Sequence, residues 1–137
     1  HDYTKEYTVQ QHLQVLASYG QAAAEDELEA PKLLHARTAA LIAEKEYRLS
    51  PEIVSAIRWH TTGKADMTTL EKVIYLADYI EPTRDFPGVE ELRRLAYTDL
   101  DGALKLGLEM TLAMLREQKR QISPASSQAL AYLTKGK

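Results

Sequence analysis

The stretch TTLEKVIYLADYIEP, residues 68–82, reads as one complete helix with its own start and stop. Thr68 followed three residues later by Glu71 is a capping box, in which each side chain satisfies a backbone N–H that the first turn leaves unpaired. Leu70, Val73, Ile74, Ala77 and Ile80 then recur at helical spacing, and Pro82 stops the helix. Asp78 sits among Ile74, Leu76, Ala77 and Ile80, so the pattern predicts a carboxylate in a segment buried on more than one side. An unpaired charge there is very costly, so Asp78 needs a metal or an arginine beside it.

The same logic runs outward in both directions. Upstream, Ser50-Pro51-Glu52 is an N-cap serine with proline in the first turn, and Ile53, Val54 and Ile57 form the expected buried stripe of a helix that runs out at Thr61-Thr62-Gly63. Pro31 opens another helix, in which Leu33 and Leu34 recur as Ala40 and Leu41 and Arg37 interrupts the stripe. From Tyr7 to Tyr19, Val9, Leu13, Val15 and Leu16 predict a helix closed by Gly20, with His12 on its solvated side. Residues 21–29 are small and acidic and read as a loop. Downstream, Leu100, Leu104, Leu108 and Leu112 mark the longest helix, over Thr98 to Gln121, and a short one follows Ser123-Pro124. No clean alternating run signals a strand. The expectation is an all-α domain of about six helices.

Composition narrows the chemistry. The 137 residues suffice for one domain with a sizeable core. No run approaches the roughly 18 apolar residues of a membrane span. Cysteine is absent, so any metal is held by His, Asp or Glu, and a cytoplasmic location fits. The net charge of −3 argues against nucleic acid as the main partner.

Within that inventory, His1 and Asp2 place an imidazole and a carboxylate side by side, a donor pair suited to a divalent metal. His35 and His60 are further candidates, although a lone His beside an apolar face is more often simply packed or hydrogen-bonded. Thr61-Thr62-Gly63-Lys64 groups two hydroxyls, a glycine and an ammonium, which suits phosphate, and is equally a plain helix stop. Lys5, three residues after Asp2, and Arg84, just past Pro82, are candidate phosphate clamps or ordinary surface charges. Trp59, Tyr75 and Tyr79 read as core aromatics first.

Taken together, H-D-Y-x-K at 1–5, L-L-H-A at 33–36, I-R-W-H-T-T-G at 57–63 and L-E-K-V-I-Y-L-A-D-Y-I-E-P-x-R-x-F-P-G-V at 70–89 resemble the HD-domain phosphohydrolases, and within them the YqeK-type symmetrical bis(5′-nucleosyl)-tetraphosphatases. The resemblance is most specific from His60 to Val89 and covers most of the chain. It implies an HD-type helical bundle over 1–137 and hydrolysis of diadenosine tetraphosphate to two ADP by a metal-bound hydroxide. The metal it implies is iron, with manganese as the substitute, as one or two ions.

By position, His1, Asp2 and Asp78 match metal ligands, and His35 and His60 match histidines that face the phosphates or a second metal. Lys5, Thr61 and Arg84 match nucleotide contacts; Asp2 and Lys5 take the catalytic roles. The resemblance also implies a homodimer and a substrate-contacting segment around Gln121 to Ser126, where Ser123 replaces the expected aromatic. A further metal-binding His lies upstream of the HD pair in the family. A chain beginning with His1 is therefore expected to be a fragment, N-terminally incomplete. The rival expectations are an HD phosphohydrolase of deoxynucleotides or guanosine polyphosphates, and a nucleotide-binding module without turnover.

Overall fold

The capping box at Thr68 forms: its hydroxyl accepts from the Glu71 N–H at 3.2 Å, and Glu71 Oε1 accepts from the Thr68 N–H at 2.7 Å. It opens one of eight α-helices found among the described residues of a computed structural model, which describes residues 3–29, 32–120 and 122–135. No strand occurs among them, so the chain is all-α. The helices fall into two compact units, residues 1–61 and 62–137.

The first unit holds α1 (Val9–Ser18), α2 (Glu25–Glu29), α3 (Lys32–Lys45) and α4 (Pro51–Arg58), with α3 against each of the other three. Small side chains allow that approach: Ala36, Ala39, Ala40 and Ala43 are all buried on α3. Leu16, Leu34 and Leu41 form the apolar cluster, with Tyr19 and Ala23 at its edge.

Three details depart from expectation. Val9 and Leu13 stay exposed while His12, at the position one turn before Leu16, is buried. The presumed loop 21–29 contains α2, because Glu27 reaches in to Arg37 (2.5 Å) and also accepts from the Ala24 N–H (2.8 Å). On α4 only Ala56 is fully buried, Ile53 is exposed, and the helix ends at Arg58, short of the threonines.

The second unit holds α5 (Thr69–Tyr79), α6 (Val89–Thr98), α7 (Leu100–Glu117) and α8 (Pro124–Lys135), and α7 contacts all three others. Leu104 and Leu108 on α7 are fully buried against Tyr75 and Leu76 of α5, Met67 and Ala129. Burial drives the Tyr75 phenol well above its ordinary pKa, an effect its hydrogen bond to Thr111 only partly offsets.

Helix α6 adds to the expected set, which places the longest helix over Thr98 to Gln121 and none over 89–97. Gly88, at φ +93°, supplies the left-handed turn that starts it, and Asp99 then caps α7 by accepting from the Gly102 N–H at 3.0 Å. The inward face of α5 also differs from the reading: Glu71, Tyr75 and Leu76 are buried, Leu70 and Val73 are exposed, and Asp78 is half-buried rather than enclosed.

Candidate functional site

The feature that draws chemistry together is a pair of imidazoles in the first unit. His35, in the first turns of α3, and His60, just past the C-cap of α4, meet with their Nε2 atoms 3.1 Å apart and their rings edge to face. His60 is buried, and its Nδ1 lies 2.6 Å from the Ile57 carbonyl. A carbonyl only accepts, so the proton sits on Nδ1 and His60 Nε2 presents a lone pair. A backbone carbonyl that takes the proton of one ring nitrogen in this way fixes the tautomer in which the other can ligate a metal.

Two imidazole nitrogens bound to one divalent ion at about 2.0–2.1 Å stand roughly 3.0–3.4 Å apart, so the observed separation fits a shared cation. Two ligands are only part of a coordination sphere. Among the described residues no group of three or more His, Asp or Glu is drawn together, and His1 and Asp2 lie outside the described residues.

Around the pair, Thr61 Oγ1 lies 3.4 Å from His60 Nε2. Lys5 is exposed in the turn that Tyr7 N–H closes onto the Thr4 carbonyl. Thr4 Oγ1 donates to the His35 carbonyl at 2.8 Å, which ties the segment following Asp2 to α3.

His12 joins the same polar cluster, where sequence reasoning had put it in solvent. Burial first, and then the charge of His35, hold its pKa below the ordinary histidine range. Its only signal in the sequence was its place four residues before Leu16, which made it an equal claimant to the inward face of α1.

The loop after Thr61 is largely committed to the fold of the second unit. Thr62 is buried and donates to the Gly63 carbonyl, and the Thr62 carbonyl accepts from Ser126. Lys64 Nζ lies 3.4 Å from Glu71 Oε2, so its ammonium offsets a carboxylate that is 2% exposed. Of the four residues read as a phosphate cradle, Thr61 belongs to the first unit and stands beside His60.

Asp78 and Arg84 belong to the second unit. Arg84 is exposed and within 3.7 Å of Glu81. The loop that carries it is stitched down by Arg93, whose guanidinium donates to the carbonyls of Ile80, Glu81 and Arg84. An open apolar cleft of about 640 Å³ lies alongside, between α5 and α6, lined by Val73, Ala77, Ile80 and Tyr97. Val73, exposed on α5, is among its lining residues, whereas the equally exposed Leu70 is not.

Comparison with known proteins decides the family. A crystal structure described as a predicted HD superfamily hydrolase involved in NAD metabolism, from Clostridium acetobutylicum, superposes with a TM-score of 0.92 at 31% identity, covering 98% of this chain and 71% of that one. The chain belongs to the HD superfamily. Among curated relatives, the Bacillus subtilis protein named symmetrical bis(5′-nucleosyl)-tetraphosphatase is 44% identical over 107 residues, 77% of this chain and 58% of its own length. A Halalkalibacterium halodurans protein of the same name is 47% identical over 94 residues, 68% of this chain and 50% of its own length. The chain thus spans about half the length of the curated relatives it matches. No family model matches it.

Proposed function

We propose that this HD-superfamily chain hydrolyses diadenosine tetraphosphate symmetrically to two ADP, as a divalent-metal-dependent phosphohydrolase, with residues 1–137 forming one HD-type domain. The observation that carries the reading is the 44% identity over 107 residues to a relative of that name, and the paired imidazoles suit it.

In this reading His1, Asp2 and Asp78, with His35 and His60, hold one or two ions, iron first and manganese as its substitute. A bound divalent cation supplies two things here: polarisation of a phosphoryl oxygen and acidification of a water. The chain's own residues do the rest. His60 keeps its Nε2 lone pair directed at the site through its Nδ1 contact with Ile57. The Lys5 ammonium offsets charge on the polyphosphate, Thr61 offers it a hydroxyl, and the Arg84 guanidinium takes two phosphate oxygens at once. The attacking water forms a new P–O bond at one of the two central phosphorus atoms, the bond from that phosphorus to the bridging oxygen breaks, the water's proton passes to solvent, and each half leaves as ADP. Register decides the symmetry: the phosphate held over the histidines is the one attacked. A cytoplasmic site of action and a homodimer complete the proposal.

The test is a substrate panel with ferrous or manganous ion: diadenosine tetraphosphate, deoxynucleoside triphosphates, guanosine polyphosphates, and NAD, included because the solved relative is described as involved in NAD metabolism. Diadenosine tetraphosphate turns over fastest, and Asp2→Ala abolishes that turnover with the helical content intact. Faster hydrolysis of any other member, or an active Asp2→Ala protein, overturns the assignment.

A further inference from the structure

His12 plays no part in the chemistry above, yet it is 3% exposed and its Nδ1 is hydrogen-bonded. Its Nδ1 lies 2.9 Å from Thr38 Oγ1, Thr38 Oγ1 lies 2.8 Å from Thr4 Oγ1, and Thr4 Oγ1 lies 2.8 Å from the His35 carbonyl. Thr4 and Thr38 are both 0% exposed. The proton order follows from the last contact. A carbonyl can only accept, so the Thr4 hydroxyl donates to it; the Thr4 oxygen then accepts from Thr38, and the Thr38 oxygen accepts from Nδ1–H of His12. Sending the Thr38 proton to the Leu34 carbonyl, 3.0 Å away, leaves the Thr4–Thr38 contact with no proton in it. The relay therefore runs one way across three elements, from α1 through α3 to the segment at Thr4 and back to the backbone of His35.

We propose that His12 is a positioning residue: through Thr38 and Thr4 it fixes the segment that follows Asp2 against the helix that presents His35. Chain length makes the fixing effective. Lys5 is the neighbour of Thr4, so pinning Thr4 holds the Lys5 Cα about 3.8 Å from a fixed point. The physical oddity also points this way. A leucine at this position on α1 extends the Leu16, Leu34 and Leu41 cluster with no hydrogen bonds to satisfy, whereas a buried imidazole is tolerable only with its partners in place.

The inference rests on the metal-dependent hydrolysis proposed above, and its test separates the two. The variants are His12→Ala, which removes the donor; His12→Asn, whose amide N–H takes the place of Nδ1–H; and Thr4→Val, which removes the link at constant shape. The first readout needs neither metal nor substrate: the imidazole NMR resonances of His35 and His60. They shift in His12→Ala and Thr4→Val and return toward wild type in His12→Asn. The second is Mn²⁺ affinity, which falls about tenfold in His12→Ala, the lower end of what second-shell partners contribute, and recovers in His12→Asn.

Unmoved His35 resonances in folded His12→Ala protein overturn the proposal. So does a His12→Asn protein as perturbed as His12→Ala, which assigns the role to ring volume. A wild-type chain that neither binds Mn²⁺ nor turns over any nucleotide sinks the functional reading instead, and the His35 resonances still decide this one.

Discussion

Replacing His60 with alanine lowers kcat for diadenosine tetraphosphate on the order of 10²- to 10³-fold, the range seen when one directed polar group is removed from a preorganised site. The reasoning starts from geometry. His60 is the member of the pair whose tautomer is fixed, because its Nδ1 proton is committed to Ile57 at 2.6 Å. In the neutral ring its Nε2 therefore carries the lone pair, 3.1 Å from Nε2 of His35. Alanine removes that donor atom and the Thr61 contact together. His35→Ala has a similar effect, and the double variant is little worse than either single one, since residues that act as a unit lose their function once. Steady-state kinetics of the three proteins, each checked for helical content by circular dichroism, measures this. Multiplying losses mean that the histidines act independently. A folded His60→Ala protein within twofold of wild type removes the pair from the mechanism.

The second large effect concerns stability. Leu108→Ala costs about 3 kcal/mol, within the range for buried leucine truncation in a core that relaxes only partly. At the entropy of a domain this size, that lowers Tm by roughly 10 °C. Leu108 is fully buried on α7, the helix that contacts every other helix of the second unit, in the cluster that holds Met67, Tyr75, Leu76 and Ala129. By contrast Leu70→Ala on α5, where the side chain is 40% exposed, costs well under half as much despite its helical spacing. Thermal unfolding followed at 222 nm compares the two. Equal losses contradict the assignment of the inward face.

That contrast also marks how far the sequence was legible. Elements whose signals are local came through: the Thr68–Glu71 capping box, the proline starts at Pro51 and Pro124, and the Gly20 stop are written within a few residues of the structure they cause. Faces were harder. On α1 and α5 the apolar residues outnumber those the core accepts, so spacing alone admits two neighbouring inward faces. Burial of His12 depends on Thr38, 26 residues along the chain, and burial of Glu71 on the ammonium of Lys64 in the loop that precedes α5. The separate helix α6 was missed because its start depends on Gly88 adopting a left-handed turn after Phe86-Pro87, which reads as mere interruption.

The site shows the same division. His35 and His60 are 25 residues apart, and nothing in their local sequence says that their Nε2 atoms meet; the resemblance to HD phosphohydrolases pointed to both. Lys64 is the instructive failure. It has the right type and spacing for a phosphate contact, and a buried carboxylate that only tertiary structure reveals lies within salt-bridge distance of it. Asp78 shows the reverse. Its predicted enclosure is only partial, so the argument that a fully buried charge must have a cation loses force, and its proposed metal role rests on matching position instead.

The most direct measurement is a product analysis of diadenosine tetraphosphate incubated with this chain, with and without ferrous or manganous ion. The account predicts ADP as the sole nucleotide product, formed only with metal. ATP and AMP in equal amounts contradict the symmetrical register, and ADP formed at the same rate in the presence of a chelator contradicts the metal-dependent site.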